Sequence, residues 1–153
     1  MDAPLTDQMR IGGVSVNRAQ ALAYATRYLT EGKGWGYPAY DAYDSARAQG
    51  PLNDADLLAP VLLNIGRAYS IPLYEGLKAA VPRLQAILDR IPLTARLATA
   101  DDAELATIGE AFGCLDGDGI HGARGTVLAK ILHRKRPSFI PLYDRQVHAV
   151  YVG

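Results

Sequence analysis

Apolar residues in this chain recur every three to four positions, and each run is bracketed by a residue that starts or stops a helix. Asn17 is a capping residue in front of Arg18–Leu29, which offers Ala19, Leu22, Ala23 and Tyr28 for burial before Gly32, Gly34 and Gly36 end it. Gly34–Asp44 reads as a turn-rich entry to a short helix. Asn53 or Asp54 caps a helix to about Ile65, which Pro60 kinks or delays. Pro82 suits the first turn of a helix over Arg83–Asp89, and Thr99 with Asp102 resembles a capping box for a helix to about Phe112. Gly125 or Thr126 opens a helix to Lys135 that Pro137 terminates, and Val147–Val152 closes the chain as a helix or a strand. No alternating pattern persists elsewhere. The expected fold class is therefore all-α, a single compact multi-helix domain over residues 1–153.

A chain of 153 residues, 49% apolar and 21% charged, can bury a core without a disulfide or a metal. The lone Cys114 cannot pair within the chain, which fits a reducing compartment, and Met1–Arg10 lacks the apolar stretch of a secretory signal. The expected location is cytoplasmic. No apolar run reaches membrane-spanning length, so no membrane partner is expected. The apolar ending His148–Gly153 reads as a segment docked on the body or as a chain cut short at its C-terminus. The pattern specifies no oligomeric state.

Charge is distributed unevenly. From Gly122 to Gly153 stand Arg124, Lys130, Arg134, Lys135, Arg136 and Arg145 against the single acid Asp144, although the whole chain is neutral. A basic C-terminal face of this kind suits a polyanion such as DNA, through salt-dependent phosphate contacts; it also suits a solvated helix face with cations at its C-terminal end. Ahead of the basic helix, Gly117–Thr126 is rich in glycine. Backbone amides at Gly122 and Gly125, the Thr126 hydroxyl and the Arg124 and Lys130 charges could hold a phosphate, with Arg134 beyond them; the same glycines also serve an ordinary interhelix loop. Asp144, beside Tyr143, has the chemistry of a general base or of a carboxylate that stabilises a cationic transition state, and equally that of an N-cap or ion-pair partner. Trp35, Tyr37 and Tyr40, with Tyr43 and the acids Asp41 and Asp44, could sandwich an extruded base, or could be core residues with satisfied hydroxyls; Tyr143 joins Trp35, Tyr37 and Tyr40 as a candidate lining of a base or ligand pocket.

Metal and cofactor signals are poor. His121, His133, His148 and Cys114 lack ligand spacing. Asp116–Asp118 begins like a calcium loop, but Val127 stands where the bidentate glutamate belongs. No dinucleotide or phosphate-loop fingerprint is present, so neither a metal nor a cofactor is expected.

The string Lys130-Ile-Leu-His-Arg-Lys-Arg-Pro-Ser-Phe-Ile-Pro-Leu-Tyr-Asp144 resembles an uncharacterised bacterial family defined only as a domain of unknown function. More distantly, a glycine turn, a helix, Pro137 and Pro141, and then Asp144 are similar to the helix-hairpin-helix DNA glycosylase superfamily. That likeness implies a helix-hairpin-helix-like C-terminal part, with a hairpin at Gly122–Gly125 and Asp144 as the catalytic carboxylate. Thr126 stands near the position of the nucleophilic lysine in lyase-competent members, which implies a monofunctional base-removing hydrolase. The expectation is thus a nucleic-acid-binding helical domain of glycosylase-like chemistry. The alternatives are a non-catalytic helical binding or regulatory module and a small-molecule-binding domain.

Overall fold

The computed structural model describes residues 7–31, 37–43, 49–63, 69–116 and 125–152. Among them the chain is mostly helical, with one small two-stranded sheet, as the helical period implies. It divides into two compact units, Met1–Pro38 with Asp144–Gly153, and Ala39–Tyr143.

The first unit opens with the antiparallel strands β1 (Gln8–Ile11) and β2 (Val14–Asn17), paired from Gln8↔Asn17 to Ile11↔Val14. No strand was expected here, yet the signal is local. Met9, Ile11, Val14 and Val16 flank a Gly-Gly pair, and Gly12 takes the positive φ of +58° that such a two-residue turn demands. Asn17 ends β2 and caps α1 (Arg18–Thr30), its side chain accepting the Gln20 amide at 2.9 Å. The chain's last helix, α7 in the numbering below (Arg145–Tyr151), resolves the helix-or-strand alternative as helix. It meets the hairpin turn, where the Gly13 amide donates to the Val150 carbonyl at 2.8 Å.

The second unit holds the core. The short α2 (Pro38–Ala42) leads into it, and Asn53 caps α3 (Asp54–Leu58) in a capping box with Asp56. The helix expected to reach Ile65 instead tightens into a 3-10 turn at Ala59–Leu63, because Pro60 has no N–H for the α-helical bond. Then α4 (Ile71–Leu88) begins at a Ser70 cap, so Pro82 lies inside the helix rather than at its start. An interior proline costs about 3 kcal/mol. Against that, Leu73, Leu77, Leu84, Ile87 and Leu88 are buried along the same helix, each stabilising by about 1.5–3 kcal/mol. Burial of the continuous stripe wins. Helix α5 (Asp102–Gly113) starts from a reciprocal box of Asp101 with Glu104, two residues along from the expected Thr99–Asp102 pair.

Helix α6 (Gly125–Lys135) has the expected span. Val127, Leu128, Ile131 and Leu132 enter the core with Leu57, Leu77, Leu88, Phe139 and Ile140. Seven of its eleven residues are buried, so it is the central helix of this unit rather than a surface one. Just beyond it, the Arg136 guanidinium donates to the carbonyls of Leu88, Ile91 and Lys135 at 2.8, 2.6 and 2.8 Å. It thereby satisfies carbonyls at the C-terminal ends of α4 and α6 that have no partner within their own helices. No helix among the described residues is long and apolar enough to cross a membrane.

Two consequences can be measured. A Cβ at Gly12 would sit 2.5 Å from the Val150 carbonyl oxygen on a left-handed backbone, so Gly12→Ala should cost about 1 kcal/mol or more. Hydrogen exchange at the Gly13 amide should accelerate accordingly. Tyr69 donates its hydroxyl to the Leu57 carbonyl, and burial pushes its phenol up to about 12. Between its ordinary value of 10.0 and about 12, the folded chain keeps a proton that the unfolded chain has released. This contribution to stability is therefore complete below pH 10 and disappears as the pH rises through 12. Spectrophotometric titration should show a late-ionising phenol that is absent from Tyr69→Phe.

Candidate functional site

The basic end of α6 turns inward. Asp56, on α3, is fully buried; its Oδ1 accepts from Arg134 Nε at 3.3 Å and its Oδ2 from Lys135 Nζ at 2.7 Å. The same carboxylate closes the α3 capping box through the Asn53 amide at 3.1 Å. Arg134 and Lys135 are each only 1% exposed. The Arg134 guanidinium also donates to the carbonyls of Tyr40 and Tyr43 at 3.2 and 2.8 Å, and it lies 5.5 and 5.2 Å from their ring centroids. Tyr40 completes the knot by donating its hydroxyl to the Lys130 carbonyl at 2.6 Å.

This geometry redirects two sequence expectations. Arg134 was expected on a phosphate-binding surface; its guanidinium is instead enclosed, because a buried carboxylate and two carbonyls offer it more than water would. Tyr40 was expected to wall a base pocket; its ring is buried against Arg134. The structure does bring Arg134 and Tyr40 together, but inside the core.

The remaining expected residues are scattered. Trp35, Gly122 and Arg124 lie outside the described residues, as do Asp44 and His121. Tyr37 is 39% exposed in the first unit. Asp144 belongs to that unit too, where its side chain caps α7, accepting the Gln146 and Val147 amides at 2.8 and 2.9 Å. Both hydrogen bonds converge on Oδ1. In the second unit, Gly125, Thr126 and Lys130 are half-buried on α6.

Tyr143 is the expected residue that borders an open site. Together with Ile108 and Phe112 of α5 and with Pro141, it lines an apolar depression of about 280 Å³. Ile108 and Phe112 are four residues apart and so share one face of α5. Gly125 stands against the Phe112 ring, with a Cβ position 3.6 Å from Cδ1, so the start of α6 abuts one wall. The i, i+4 spacing of Ile108 and Phe112 was legible, but nothing in it separates a pocket wall from a core stripe.

A larger depression of about 410 Å³ is lined by Gln85, Asp89, Lys135 and Arg136, among others. Its two cations are committed, Lys135 to Asp56 and Arg136 to three carbonyls, and two helix C-termini point their negative ends toward the latter. It has the character of a structural junction.

Residues 21–153 match the model of DUF6308, a family of unknown function, and the chain belongs to that family. No curated protein and no solved structure matches it.

The buried cluster makes a sharp prediction. Asp56→Ala leaves Arg134 and Lys135 buried without their carboxylate and should destabilise the fold by about 3–5 kcal/mol in urea titration. Arg136→Lys should cost less while still lowering the midpoint, since an ammonium cannot span three carbonyls in the geometry of a planar fork.

Proposed function

We propose that this chain is a non-catalytic helical binding module, and that it holds an apolar group of its ligand between α5 and Pro141–Tyr143. One observation carries the reading: the depression formed by Ile108, Phe112, Pro141 and Tyr143 is open, nearly devoid of polar atoms, and at about 280 Å³ large enough for a single ring or a branched aliphatic side chain. Such a surface contributes binding through burial and ring stacking, not through proton transfer. The family match crosses both units, which supports treating residues 21–153 as one functional domain.

Nucleic-acid binding and base removal draw less support. Arg134 and Lys135 are consumed by Asp56, and Arg136 by carbonyls, so three of the six cations that set the charge asymmetry are bonded within the protein. The Asp144 carboxylate has a complete local explanation as a cap. Among the described residues, Gly125, Thr126 and Lys130 are what the phosphate-binding proposal retains.

Titration of the isotopically labelled protein with indole, followed by amide NMR, tests the proposal. The Ile108, Phe112 and Tyr143 amides should shift together, and Ile108→Asp should abolish the response while circular dichroism stays helical. In parallel, labelled single- and double-stranded DNA should show no salt-dependent binding. Binding that is steep in ionic strength and lost in Lys130→Glu would replace this reading with the nucleic-acid one.

A further inference from the structure

The rim of the α5 depression is not neutral. Counting back from Ile108, Glu104 lies one helical turn toward the N-terminus on the same face, and Asp101 caps the helix on that face too. The two acids are locked in place by their reciprocal box: Glu104 Oε2 accepts the Asp101 amide at 3.1 Å, and Asp101 Oδ1 accepts the Glu104 amide at 2.8 Å. Asp102 adds a third carboxylate in the first turn, and α5 contains no lysine or arginine. Glu110, the helix's remaining acid, points to the opposite side, where it pairs with Arg90. Between these acids and Ile108 sits Leu105, 43% exposed, which extends the apolar surface toward them. At the far end, Phe112 meets Gly125, the first residue of α6.

The depression is thus apolar in its lining and carries carboxylates toward one end. We infer that the occupant is a segment of another protein that inserts an apolar side chain into the pocket and places a lysine or arginine about one turn away, against Glu104 and Asp101. The inference rests on the binding-module reading of this pocket and adds the chemistry of the partner. Charge complementarity argues for it: a cation beside Glu104 is attracted, whereas a phosphate or a carboxylate there is repelled. The carboxylates orient the segment, with its basic end toward Glu104. The acids also serve specificity, since an apolar surface alone would accept any hydrophobic segment.

Glu104→Gln separates charge from structure, because glutamine keeps the capping box while removing the negative charge. The probes are two short blocked peptides, one with a tryptophan followed by lysines and its twin with glutamates, titrated against the labelled protein by amide NMR. At low salt the lysine peptide should shift the Ile108 and Phe112 amides with about two- to five-fold higher affinity than the glutamate twin. That advantage should vanish in Glu104→Gln and at high salt, while indole binding stays unchanged. Equal affinities, or preference for the glutamate twin, would overturn the basic partner and leave the pocket reading standing. Failure of both peptides and of indole would overturn the pocket reading itself. An oligonucleotide shifting the same amides more strongly than the lysine peptide would overturn the partner class in favour of nucleic acid.

Discussion

Everything in the larger unit is arranged around one carboxylate. Asp56 is buried, and it accepts from an arginine and a lysine of α6 and from the amide that begins its own helix. A charge in such a place is tolerated only when it is fully bonded. Here the bonding reaches outward in layers: Arg134 draws in the carbonyls and rings of Tyr40 and Tyr43, and Tyr40 returns to α6 through the Lys130 carbonyl. The leucines of α4 and α6 contribute burial energy, but they are interchangeable within limits of volume. The Asp56 cluster is not, because its distances and directions tie α3, α6, Tyr40 of α2 and Tyr43 just after it to one relative position.

Arg136 extends the same logic by one residue. Three consecutive cations, Arg134, Lys135 and Arg136, each satisfy oxygen atoms inside the protein, the last of them carbonyls where α4 and α6 end. A stretch that reads as an electrostatic surface is thus a set of internal fasteners. One outward feature of this unit is different in kind: a small apolar depression on α5, with acids that start the helix toward one end.

Much of the architecture was legible because it is encoded locally. Asn17, Asn53, Gly125 and Pro137 mark helix limits through their own backbone chemistry, and the structure places boundaries at or beside them. The misreadings share a cause. Pro82 looks like a helix start until the buried leucines on both sides of it are weighed, and those contacts are tertiary. The Gly12-Gly13 hairpin was available in the sequence, but its strands are only four residues long and the alternation is too brief to stand out. The site was hardest. Nothing near Arg134 announces a partner 78 positions earlier, although the matching acidic excess of residues 1–121 is what a chain with internally paired cations would show.

That separation has a temporal side. At synthesis rates of about 5–20 residues per second, roughly 4–16 seconds pass between the emergence of Asp56 and that of Arg134. During this interval the capping box can hold the start of α3, but the carboxylate has no cation to accept and every reason to stay hydrated. Locking of the core around Asp56 must therefore wait for α6, and the short helices made before it lack the packing that holds them until then. A protein organised around a late-arriving helix depends on its cellular surroundings during those seconds more than its finished form does.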